Sequence, residues 1–180
     1  MADDWGQARL EGLTELKGTL RALTPRLEKR VVMGALRAAA QVIRRDALSR
    51  VPVLQTPHPY RKPGTVKKNI TVRRSRRDRA GVYVGVKPMG NKQIRAFSAG
   101  ARATGQRGTK KTPLSARNPD DPWYWIMLEF GTRNMPARPF LRPAFETKKY
   151  EALQKFEEYM KRRVVKEAEK LAREMGMKAA

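Results

Sequence analysis

The side chains that most often carry chemistry are nearly missing from this sequence: there is one histidine, His58, and no cysteine among 180 residues. His58 sits in the proline-rich stretch Pro52 to Gly64 with no second histidine and no clustered carboxylates nearby. A catalytic triad needs a base oriented beside a nucleophile, and a metal centre needs three or four ligands at set spacing, so neither can be assembled from these residues. The glycines between Gly90 and Gly108 lack the Gly-Lys-Ser/Thr ending of a phosphate-cradling loop. No enzyme and no cofactor is expected. What these residue types can do is bind charge. Forty Lys and Arg against seventeen Asp and Glu leave a net charge of +23, and such self-repulsion is unfavourable unless a polyanion or acidic surface is met.

The charge is concentrated. Arg61 to Arg79 holds nine bases and the single acid Asp78, and Lys87 to Arg117 holds eight bases and no acid. Together they account for +16 of the +23. Arg73, Arg74, Arg76 and Arg77 in the first patch, and Arg102, Arg107, Lys110 and Lys111 in the second, are the candidate contacts to DNA phosphates or to an acidic partner. The plain alternative for the first patch is a solvated strand edge guarded by charge against aggregation. Stacking on single-stranded nucleic acid is disfavoured, because only Tyr60, Tyr83 and Phe97 lie among these bases.

The elements that must position these residues follow from periodicity and punctuation. The chain is long enough for one domain over 1–180. Leucines at 10, 13, 16, 20 and 23, interrupted by Gly12 and Gly18, predict a short strand through Gly12 and a helix to Leu23. Thr24 and Pro25 open a long helix ending near Arg50, before Pro52, with Leu27, Val31, Ala35, Ala38 and Val42 on its apolar stripe. Its small residues Gly34, Ala35, Ala38, Ala39 and Ala40 permit a close neighbour. Lys67 to Arg74 and Ala80 to Lys87 alternate as two strands of a hairpin turning at Ser75 to Arg79. Pro88 to Arg117 reads as a long, basic, flexible loop, ordered on DNA or on neighbouring subunits. Pro143 to about Met175 predicts a long helix with Phe145, Leu153, Phe156, Met160, Val164, Ala168 and Leu171 on one stripe, and 176–180 should fray. The expected fold class is α+β: a small antiparallel sheet with a hairpin, packed by long N-terminal and C-terminal helices and a short aromatic helix.

That aromatic helix belongs to the densest apolar cluster, Trp123 to Phe145, which includes two of three tryptophans and three of five phenylalanines. Asp121 as N-cap, Pro122 at the first position and Gly131 at the end bound a helix over Pro122 to Phe130. Trp123, Ile126, Met127 and Phe130 share its apolar face, leaving Trp125 and Glu129 on another, where Glu129 can meet solvent, Arg133 or a partner. Met135 to Pro143, with three prolines, should run extended over the surface and pin Phe140 and Leu141 into a pocket. Trp125, Glu129, Arg133, Arg138, Phe140 and Arg142 are the candidate assembly contacts. The longest apolar run, Trp123 to Leu128, is too short to cross a bilayer, and Asp3 and Asp4 do not suit a signal peptide. The expectation is a protein without membrane contact, made in a reducing cytoplasm.

An aromatic helix closing in Glu-Phe-Gly-Thr and followed by Pro-Ala-Arg-Pro-Phe-Leu-Arg-Pro-Ala resembles the small tail-component family of long-tailed bacteriophages, the head–tail joining or tail-completion proteins. So does the order of elements: a Gly-Leu-x-Glu-Leu start, a long Ala-rich helix ending near Val-Pro, a hairpin, this motif and a C-terminal helix. The resemblance implies a structural virion protein at the neck. It would be a homo-oligomeric ring, with a hexamer as one candidate, joining the connector to the tail tube around double-stranded DNA. The competing readings are a basic nucleic-acid-binding protein acting outside a particle, and charge that serves an acidic protein alone.

Overall fold

The computed structural model describes residues 25–56, 58–75, 81–109 and 113–174. Helix α1 spans Pro25–Arg50 and α2 is a short Thr65–Asn69 turn leading directly into β1, Ile70–Arg74. Strand β2 is Val82–Val86, α3 Asn91–Ala103, a 3-10 turn Leu114–Arg117, α4 Trp125–Phe130 and α5 Leu141–Glu174. The expected strand and helix near Gly12 and Leu23 and the tail 176–180 lie outside the described residues, as does the hairpin turn at 76–80.

The α+β architecture is as the periodicity predicts. Strands β1 and β2 pair antiparallel, with Ile70 opposite Val86, Val72 opposite Val84 and Arg74 opposite Val82. The period of two puts the valines and Ile70 on one face, and that face lies on α1. Arg44 fastens it by donating from Nε to the Ile70 carbonyl at 2.8 Å. Lys67 to Asn69, expected in the first strand, are helical instead. Gly64 at φ 74° starts that turn, and the Thr65 hydroxyl lies within donating distance of both the Lys62 and the Pro119 carbonyl, so hydrogen bonding at Thr65 holds the turn before the alternation begins.

Two apolar clusters hold the elements together. Ala47, Val51, Val66, Ile70, Val86, Phe140 and Ala144 form one, where α1, the sheet and the start of α5 converge. Val31, Ala35, Met160 and Val164 form the other, between α1 and α5. The helices approach closely because small residues of α1 face larger ones of α5. A Cβ built on Gly34 would stand 2.6 Å from the Tyr159 hydroxyl, so the ring occupies the place of a side chain. Phe145, expected on the α5 stripe, is 41% exposed. The true stripe starts one residue earlier at Ala144 and continues through Ala152, Met160 and Val164, each at a multiple of four residues.

The stretch expected as a flexible loop, 88–117, contains the 13-residue helix α3 and the 3-10 turn. The Gln93 side chain accepts from the Gly90 N–H at 3.2 Å, half of a capping box. At the other end Gly105, at φ 78°, lets its own N–H reach the Arg102 carbonyl and the Gln106 N–H reach the Ala101 carbonyl, both at 2.9 Å. That pair of bonds is a Schellman motif and needs a left-handed residue at this position.

Candidate assembly and nucleic-acid interface

Glu129 organises the aromatic motif. It lies on α4 with only 5% of its surface exposed, yet its carboxylate is fully engaged. Oε2 accepts from the Phe140 N–H at 2.8 Å and the Leu141 N–H at 3.0 Å, and Oε1 from the Arg142 N–H at 2.9 Å. These are the first backbone donors of α5, which have no partner inside the helix. The next residue, Pro143, has no N–H to satisfy. A negative charge at this end is also favoured by the helix dipole. Glu129 therefore caps a 34-residue helix from a neighbouring one.

The ten residues between are shaped to make that reach. Gly131 leaves α4 at φ 74° and ψ −179°, a region essentially reserved for glycine. A Cβ there would stand 2.8 Å from the Ala137 nitrogen. Thr132 and Met135 exchange backbone hydrogen bonds, and the Arg138 N–H returns to the Leu128 carbonyl at 2.7 Å. Phe140 then drops into the core with none of its surface exposed.

Several sequence expectations change here. Glu129 and Phe140, proposed as assembly contacts, are interior groups with intramolecular roles. The face of the aromatic helix is reversed: Trp125 packs against the main core with Leu128 and Tyr124, whereas Ile126, Met127 and Phe130 are 51%, 38% and 61% exposed. Tethering Glu129 to the start of α5 fixes the rotation of α4, so burial follows the carboxylate and not the count of apolar residues. The helix also starts later than Pro122. Asp121 accepts from the Trp123 N–H at 3.2 Å in a turn ahead of it, and burial raises the Asp121 pKa against the pull of its backbone hydrogen bonds.

Arg133, Arg138 and Arg142 are exposed as expected, and Arg142 lies over the Phe130 ring at 5.6 Å. Next to them is an apolar groove of about 590 Å³. Its walls are Leu36 and Ile43 of α1, Val82 and Tyr83 of β2, Phe130 of α4 and Phe145 of α5. Periodicity did not indicate this groove, since it assigned both Phe130 and Phe145 to buried stripes.

Of the candidate charge contacts, Arg74, Arg102 and Arg107 are exposed and Arg73 is half-buried, across from Tyr83. Arg76, Arg77, Lys110 and Lys111 lie outside the described residues. Two bases at the limits of the two basic patches make ring contacts that were not foreseen: Arg61 is stacked at 4.2 Å from the Tyr124 ring centroid and 5.4 Å from that of Trp123, and Arg117 lies over Tyr60 at 5.6 Å. Stacking of this kind holds guanidinium planes in place at little entropic cost. Among the described residues no group of His, Cys, Asp and Glu could hold a metal ion, and no helix is long and apolar enough to cross a membrane.

A comparison with known families matches the stretch that holds α1, the hairpin, α3 and the glycine-ended aromatic helix. The family model described as "Bacteriophage HK97-gp10, putative tail-component" matches residues 14–131. The chain belongs to the HK97-gp10-like family of phage tail components. The match covers well over half of the chain and stops at Gly131, so it includes Glu129 but not the N–H donors at Phe140 to Arg142. No curated protein and no solved structure matches. Membership carries a structural, tail-related role in the virion and contact with other virion proteins.

Proposed function

We propose that this tail component is a structural piece of the head–tail joint: a ring of identical subunits between the connector and the tail tube, with DNA passing through it. The observation that carries the reading is the surface left open beside the Glu129 clamp. Ile126, Met127 and Phe130 are exposed on a helix whose rotation is fixed, and Phe130 lines a groove whose walls also include Tyr83, Phe145 and Arg142. Monomeric proteins rarely leave a contiguous aromatic patch uncovered, and aromatic side chains with arginine are what protein interfaces enrich. At +23 a subunit repels its copies, so association has to be driven by apolar burial and by the negative charge of the DNA it surrounds.

The test is the double variant Ile126→Ser, Phe130→Ser. Both side chains are exposed in the subunit, so the variant is expected to fold and melt as the parent does. It should fail to assemble, leaving filled heads without tails in phage that carry it. Normal tailed virions from that variant would move the interface elsewhere.

A further inference from the structure

Helix α3 has two unlike faces. Ile94, Phe97, Ser98 and Ala101 turn inward, where Ala101 is buried and the 3-10 turn brings Leu114, itself buried, against the helix. Lys92, Arg95, Ala99 and Arg102 recur at three, four and three residues, so they form one stripe along the opposite side. All four are exposed, with Ala96 and Ala103 exposed beside them. Among the described residues no side chain pairs with any of the three cations. An ordinary solvated helix face mixes both signs, as α5 does with Lys148–Glu151 and Lys155–Glu158 pairs. The α3 face does not, and no acid occurs anywhere from Arg79 to Pro119.

We infer that α3 is the element that lies along a DNA duplex, with Lys92, Arg95 and Arg102 contacting phosphates and the alanines between them allowing close approach. The stripe is about 15 Å long from the helix rise, comparable to about four phosphates of one strand measured along the duplex axis. A groove of about 760 Å³ between α3 and the 3-10 turn, with Arg102, Arg107, Ser98 and Ser115 on its walls, continues the positive surface. A duplex fits better than a single strand because the one aromatic residue of α3, Phe97, faces inward and offers no stacking platform. Contacts of this type read charge and not sequence. The inference deepens the joint reading by naming the part of the subunit that meets the DNA.

The experiment compares two triple variants of the full-length protein on double-stranded DNA of two unrelated sequences. One is Lys92→Gln, Arg95→Gln, Arg102→Gln; the other removes the same charge from α5 as Lys155→Gln, Arg162→Gln, Lys166→Gln. The α3 triple should bind both duplexes about tenfold or more weakly, with the salt dependence of log Kd flattened by about 0.9 for each phosphate no longer neutralised. The α5 triple should bind close to the parent. Equal weakening by both triples would mean that net charge, not the stripe, holds DNA, and would overturn the inference. Parental binding by the α3 triple would assign the stripe to an acidic protein and overturn it as well. Subunit mass measured on the same samples separates the two claims: a closed oligomer with unchanged DNA binding sinks only the α3 assignment.

Discussion

At the residue scale, Glu129 shows how one side chain can tie two helices together. Three N–H groups converge on its carboxylate, and each bond to a charged acceptor contributes about 1.5–3 kcal/mol where removal leaves a buried donor unpaired. Glu129→Gln keeps the size but replaces one accepting oxygen by an amide that confronts an N–H. It is expected to lower stability by about 2–4 kcal/mol, read as an earlier denaturant midpoint. A midpoint equal to that of the parent would mean that α5 does not need this cap. The sequence signalled the motif but not this role. A helical wheel sorts residues by apolarity, and the donors that claim Glu129 lie eleven to thirteen residues ahead, across a turn whose path depends on Gly131.

At the scale of elements, long periodic segments were legible and short ones were not. The long helices α1 and α5 follow from stripes that extend over many residues, so a local error averages out, and the five-residue strands follow from their strict alternation on both sides of one turn. The six-residue α4 has no such averaging, and one polar tether overrules its apolar count. Helix α3 was hidden by its composition: glycine, alanine and lysine or arginine look like linker. Its boundary signals, Gln93 three residues after Gly90 and Gly105 past the last turn, were nonetheless in place. The turn from α4 to α5 gives the prediction that belongs here. Gly131→Ala puts a Cβ into the Ala137 nitrogen and into a backbone region that L-residues avoid, at an expected cost of about 2 kcal/mol or more. It should also loosen the start of α5, seen as faster amide exchange at Phe140 to Arg142. Parental exchange there would show that the turn relaxes without glycine.

At the scale of the whole molecule, burial and charge point in the same direction. The two apolar clusters lock α1, the sheet and α5 into one scaffold, while the face of α4 with Ile126, Met127 and Phe130 and the cation stripe of α3 stay exposed. A protein that acted alone would not be expected to carry both. The tail-component family accounts for the apolar surface through contact with other virion proteins, and the proposed ring accounts for the cations through the DNA it surrounds. The measurement that tests this most directly is the mass of the purified protein at several salt concentrations, since salt screens the self-repulsion of +23 subunits but leaves apolar contact intact. The ring predicts one closed oligomer, favoured as salt rises and lost in the Ile126→Ser, Phe130→Ser variant. A monomer at every salt concentration would contradict the ring and leave a tail component that does not assemble with its own copies.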